Sequence, residues 1–147
     1  VFLPGGYPEL HAGRLAAATG FLAGLRAAAA RGAAVHGECG GYMVLGRGLV
    51  DGTGARHAMA GLLPLETSFA ERRLHLGYRR VAQRGAGPFG PPGTRLRGHE
   101  FHYATILAEG DGDPLFDAED ARGTVLPPMG RRAGRVTGSF LHAVDLD

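Results

Sequence analysis

No lysine occurs anywhere in the sequence; all 16 of its Lys/Arg-type side chains are arginine. A Gly-Lys-Ser/Thr phosphate loop is therefore excluded, and with it an ATP site of that kind within this chain. Cysteine is nearly absent. The single Cys39 leaves no internal disulfide framework and suits a reducing, cytoplasmic setting. Long apolar runs are missing too: Gly20, Gly24, Arg26 and Arg31 interrupt the Ala-rich stretch, so no segment reads as a membrane span. No signal-peptide pattern is visible. The formal net charge is only +2, and the arginine pairs Arg72-Arg73, Arg79-Arg80 and Arg131-Arg132 lack aromatic interleaving. That argues against a nucleic-acid partner; such pairs read as solvated or inter-domain surface. The length, 147 residues, fits one globular domain with a real core.

What is present is organised around Gly37-Glu38-Cys39-Gly40-Gly41. A short apolar run, Ala33-Ala34-Val35, precedes it and Tyr42-Met43-Val44-Leu45 follows. This reads as strand, sharp turn and helix, the G-x-nucleophile-x-G pattern with cysteine in the nucleophile position. Glycines on both sides tolerate a strained backbone and keep Cβ atoms out of a crowded corner. The turn places the sulfur at a helix N-terminus, which favours a thiolate. The alternative is a buried structural cysteine beside a Gly-rich turn.

Taken in order, Val1-Phe2-Leu3 reads as the end of a buried strand opening at Pro4-Gly5-Gly6. The expectation is therefore that the chain begins inside a domain and is a piece of a longer protein. Gly5-Gly6 can present bare N–H groups, as an oxyanion hole needs. Residues 8–31 carry Leu10, Leu15, Phe21, Leu22 and Leu25 at helical spacing, broken into two helices at Thr19-Gly20 and stopped by Gly32. Strand 33–36 and the turn follow. The βαβα series predicts a parallel sheet, with both the Pro-Gly-Gly loop and Cys39 at the C-terminal ends of strands. Residues 46–61 and 84–93 read as loop. Residues 62–69, 74–83 and 94–104 read as strands, 111–122 as turn-rich, and 135–142 as a final strand ending in a histidine.

A cysteine nucleophile needs a base. His36 lies on the strand feeding the turn, too close to serve. His11, His57 and His75 read as surface or packing residues. His99 and His102 flank Glu100, but three-residue spacing on a strand puts the two histidines on opposite faces, which disfavours a shared metal. His142, at a strand end on the same edge as Cys39, is the first choice, and His102 the next.

Five stretches together resemble the class I (triad-type) glutamine amidotransferases, in the branch found in cobalamin biosynthesis. They are Leu3-Pro4-Gly5-Gly6-Tyr7-Pro8-Glu9-Leu10, Gly37-Glu38-Cys39-Gly40-Gly41-Tyr42-Met43, Leu62-Leu63-Pro64-Leu65-Glu66-Thr67-Ser68-Phe69, Gly98-His99-Glu100-Phe101-His102-Tyr103 and Ser139-Phe140-Leu141-His142. The resemblance spans nearly the whole chain in the right order. It implies an α/β fold: a flavodoxin-like three-layer α/β/α sandwich lacking its first strands. It implies that residues 1–147 are the amidotransferase domain at the C-terminal end of a two-domain synthase. Cys39 would attack glutamine and release ammonia through a γ-glutamyl thioester, with His142 as base and the N–H groups of Gly6 and Gly40 as oxyanion hole. Substrate contacts are expected at Gly5, Tyr7, Tyr42, His99, Glu100 and His102.

The resemblance implies no cofactor or metal in this domain. ATP and Mg2+ are expected in an N-terminal synthetase domain, where the ammonia would amidate the a and c carboxylates of a corrinoid acid. Other acceptors, cobyric acid or a peptidoglycan precursor, and a non-catalytic glutamine-binding or docking role remain open alternatives. Two departures stand out. Most triad-type relatives carry a Glu two residues after the histidine, where this chain has Val144; Asp145 is one residue too far, which leaves the orienter of His142 unassigned. Strands and a helix that the family places before the Pro-Gly-Gly loop are also missing. Low activity of residues 1–147 alone, and self-association as a homo-oligomer through the exposed edge, are the corresponding expectations.

Overall fold

The computed structural model describes residues 1–147. Eight strands form one sheet in the order β1 (Phe2–Leu3), β2 (Val35–Glu38), β11 (Val136–Ser139), β10 (Val125–Ala133), β9 (Asp113–Asp120), β6 (His75–Gln83), β7 (Arg95–His102), β12 (Leu141–Leu146). β1, β2 and β11 are parallel; the remaining pairings are antiparallel. A four-stranded sheet runs β4 (Arg56–Ala58), β3 (Gly48–Val50), β5 (Leu65–Ser68), β8 (Thr105–Glu109). Helices α1 (Ala12–Ala17) and α2 (Thr19–Ala30) join β1 to β2, and α3 (Gly40–Leu45) follows β2. The expected βαβα start is therefore present.

Only Phe140 separates β11 from β12, yet those strands stand third and eighth in the sheet order. The intervening strands must curl back on themselves for both to hold. Curling encloses a small core of Val81, Leu96, Leu115, Phe116, Ala118 and Leu141. The larger core lies among α2, α3, the parallel strands and the small sheet; it includes Leu22, Leu25, Val35, Tyr42, Leu45, Leu65 and Phe140. Leu22 and Leu25, spaced i and i+3, form the buried stripe of α2, as its apolar spacing requires. Leu10 and Phe21 share that spacing but stay exposed. Ala18 breaks the two helices, and Gly32 with φ 81° ends the second.

Several expectations need correction. Val1 and Phe2 are more than half exposed, because β1 is an edge strand paired only with β2. Residues 46–61 contain two short strands rather than loop alone. The acidic stretch 111–122 contains β9, whose Leu115, Phe116 and Ala118 point into the enclosed core while its acids stay outside. β10 had no strand signal in sequence, since prolines cannot donate to a ladder. Pro127 and Pro128 fall where the β9–β10 register shifts, between Leu126 and Met129. The final strand divides at Phe140.

His36 lies on β2, where its Nδ1 meets Thr137 Oγ1 at 2.8 Å while its Nε2 is buried without a partner. Burial pushes its pKa down to about 4. The unfolded chain therefore takes up a proton near pH 6.5 that the folded chain refuses until about pH 4. Stability is expected to fall as pH drops through that window. Thermal unfolding at a series of pH values should show the loss, and His36→Asn should flatten it; an equally steep loss in the variant places the effect elsewhere.

Candidate active site

β2 ends at Glu38, and Cys39 takes φ 48° and ψ −104°, the only non-glycine residue with positive φ. Such a backbone costs roughly 1–3 kcal/mol and persists only when neighbours hold it. Here Cys39 N–H donates to Ser139 O at 2.8 Å and Met43 N–H donates to Cys39 O at 3.1 Å. The flanking glycines are explained by close approach. A Cβ on Gly40 would stand 2.9 Å from Gly6 N, and one on Gly5 would stand 2.8 Å from His142 Cε1. The turn, the Pro4-Gly5-Gly6 loop and His142 are thus pressed together at the strand ends.

They open onto one cavity of about 490 Å³, a size suited to a small ligand. Gly5, Gly6, Tyr7, Cys39, His102 and His142, all singled out in sequence, line it. Gly6 N–H has no intramolecular hydrogen bond, and the Gly40 N–H acts on the Cys39 sulfur. The Gly40 donor thus stands beside the thiol, and Gly6 lines the same cavity close against Gly40. Tyr42 is a correction: it is wholly buried, its hydroxyl donates to Glu109 Oε1 at 2.7 Å, and it cannot touch a ligand in this cavity. His99 and Glu100 do not line the cavity either. His99 stacks on His142 with centroids 4.9 Å apart. Glu100 bonds His102 Nε2 at 2.9 Å and Arg79 at 2.8 Å.

His102 stacks on Phe140 at 3.7 Å and on His75 at 4.5 Å, with Nδ1 facing Ala104 O. His75, Glu100 and His102 bring ligand-type atoms within 4.8 Å of one another. Both Glu100 oxygens are already engaged, by His102 and Arg79, so this cluster is an ion-pair network in the cavity wall. Burial alone would raise the Glu100 carboxyl; those two hydrogen bonds outweigh it and hold the group below the usual range.

The thiol contradicts the expectation of a thiolate at rest. Burial pushes Cys39 up to about 11; the Gly40 N–H opposes this, while Glu9, Glu38 and Glu100 add to it. α3 has only six residues, too little dipole to offset burial and three carboxylates. The thiol instead donates to Phe101 O at 3.5 Å. His142 is shifted down, first by burial and then by His99 and His102, so it rests as a neutral imidazole able to accept a proton.

Sequence reasoning missed Glu38. Its Oε2 lies 3.9 Å from His142 Nδ1. Its position immediately before the nucleophile was the available signal. Phe101 was missed as well, and it acts through a backbone carbonyl that leaves no mark in sequence. Val144 is 69% exposed, and exposed Asp145 accepts from Leu146 N–H, so neither orients His142.

Residues 1–146 match the family model described as CobB/CobQ-like glutamine amidotransferase domain. The chain is 60% identical over 146 residues to the hydrogenobyrinate a,c-diamide synthase of a Sinorhizobium species, covering 99% of this chain and 33% of that protein. It is 59% identical over 144 residues to the protein of that name from Rhodobacter capsulatus, covering 98% and 33%. The chain thus spans about a third of the length of these curated relatives. A solved glutamine amidotransferase superposes with TM-score 0.60 at 21% identity, covering 96% of this chain and 68% of that one. PurLQS from Thermotoga maritima gives 0.59 at 19%, covering 96% and 66%. These two place the fold with the glutamine amidotransferases, as the class I α/β expectation had it.

Because only the thiolate reacts, alkylation of Cys39 by iodoacetamide should accelerate roughly tenfold per pH unit across pH 7–10. A rate already level at neutral pH would show a resting thiolate and contradict the site electrostatics.

Proposed function

We propose, from the premise that this chain belongs to the CobB/CobQ-like glutamine amidotransferase domain family, that it hydrolyses the side-chain amide of glutamine and supplies ammonia for amide synthesis. The observation that carries the reading is the meeting of Cys39, His142 and the Gly6 loop in one cavity of a chain matching that family end to end. His142 takes the thiol proton as sulfur attacks the amide carbon. A C–S bond forms, and the oxygen gains charge against the N–H groups of Gly6 and Gly40. The imidazolium then returns its proton to the amide nitrogen, the C–N bond breaks, and ammonia leaves. Water adds to the γ-glutamyl thioester with His142 again taking its proton; glutamate departs and the thiol is restored.

Neutral His142 and protonated Cys39 make this general-base catalysis rather than attack by a preformed ion pair. Gly5, Tyr7 and His102 line the cavity where glutamine would sit, while Glu100 and His99 act through His102 and His142. The relatives' name supports hydrogenobyrinate as the acceptor, amidated at its a and c carboxylates in the part of the protein outside this chain. ATP and Mg2+ belong to that part on this reading. The chain has no lysine for a phosphate loop, and the Glu100 oxygens of its His/Glu cluster are engaged by His102 and Arg79. No helix is long and apolar enough to cross a membrane, and a cytoplasmic setting accords with the lone free cysteine.

Cys39→Ser in the full-length protein should abolish glutamine-dependent amidation while sparing ammonia-dependent amidation; equal loss with both nitrogen donors removes Cys39 from this role. His142→Ala should slow glutamine hydrolysis roughly 10²–10⁴-fold, the usual worth of a general base. Normal hydrolysis in that variant removes His142 from the role. The acid limb of kcat/KM should fall below pH 6.5, because His142 is shifted down from that value.

A further inference from the structure

We propose that Glu38 is the carboxylate that orients His142, supplied from the strand before the nucleophile rather than from the strand after the histidine. The inference rests on the reading of Cys39 and His142 as nucleophile and base. Glu38 and Ser139 are register partners in the β2–β11 pair, Cys39 N–H donates to Ser139 O, and His142 follows three residues later. One short parallel pairing therefore fixes carboxylate, sulfur and imidazole relative to each other. The carboxylate is 14% exposed and its Oε2 stands 3.9 Å from His142 Nδ1. That is longer than a hydrogen bond, and resting active sites commonly hold such contacts long until substrate tightens them.

The direction of the contact matters. On this proposal the Nδ1 proton is directed at Glu38, which leaves the lone pair on Nε2 as the one to take the thiol proton. After that transfer the imidazolium faces a carboxylate rather than solvent. Burial raises the Glu38 carboxyl, while the Ala143 N–H and His99 pull it back down. The Ala143 contact also ties Glu38 to the backbone next to His142. Neither candidate downstream of the histidine competes, since Val144 is apolar and Asp145 bonds Leu146. The groups facing His142 are His99 and His102 from β7, Glu38 from β2 and Cys39 from the turn; Glu9 and Glu100 act on the thiol.

The test uses Glu38→Gln in the full-length protein, which keeps shape and removes charge. Expected are a kcat for glutamine hydrolysis reduced roughly tenfold or more, bounded by what the base itself contributes, with KM for glutamine and ammonia-dependent synthesis unchanged. The acid limb of kcat/KM should move to lower pH, because losing a nearby negative charge disfavours the imidazolium. An unmoved limb overturns the proposal, whether kcat is normal or reduced. A parallel loss of ammonia-dependent activity or of thermal stability overturns it in favour of a purely structural role. Cys39→Ser runs alongside. If that variant still hydrolyses glutamine, the nucleophile reading fails; if it is dead while Glu38→Gln behaves as wild type, only the orienter assignment fails.

Discussion

The parallel pairing of Val35–Glu38 with Val136–Ser139 is the constraint on which the rest of the site depends. It ends at Glu38 and Ser139. From there one chain turns sharply into Cys39 and α3, and the other steps through Phe140 into β12 and His142. Because both chains leave the same rung, their functional side chains are placed by backbone hydrogen bonds rather than by flexible loops. Tyr42 and Phe140 pack edge to face at 5.4 Å directly beneath, which stiffens both departures. The Tyr42–Glu109–Arg131 chain extends that support into β8 and β10.

The electrostatics follow from the same geometry. Burial of the sulfur is the largest effect on it, three carboxylates add to that, and together they outweigh what the Gly40 N–H returns. The imidazole is depressed by burial and by its histidine neighbours. Each partner is thus neutral at rest, and on the proposed reading the pair charges only while a substrate carbonyl is there to take up the electrons. Glu100, held by Arg79 and His102, stays ionised nearby and keeps that balance from shifting early.

The turn, the βαβα opening and the meeting of His142 with Cys39 in one cavity were legible because each has a local cause: glycines bracketing a cysteine, apolar spacing, a histidine just past the end of β11. β9 and β10 were not, because their stability comes from neighbouring strands. Three inward side chains among acids, and two prolines at a register shift, leave no periodic pattern. Tyr42 was misread for a related reason: it sits in a functional motif but serves the packing beneath the turn. The resting thiol was misread because a helix N-terminus is visible in sequence, whereas the burial that raises the thiol, and Glu9 and Glu100 brought alongside by the fold, are not. Glu38 stood in plain view beside Cys39, but its partner lies more than a hundred residues away on β12.

The raised thiol has a consequence for durability. Peroxides and soft electrophiles attack thiolates, and oxidation past the sulfenic stage is generally irreversible. Cys39 is 6% exposed and protonated at neutral pH. Within residues 1–147 no second cysteine stands by to resolve a sulfenic acid as a disulfide. Protonation and burial therefore keep this sulfur slow toward oxidants while the cavity is empty.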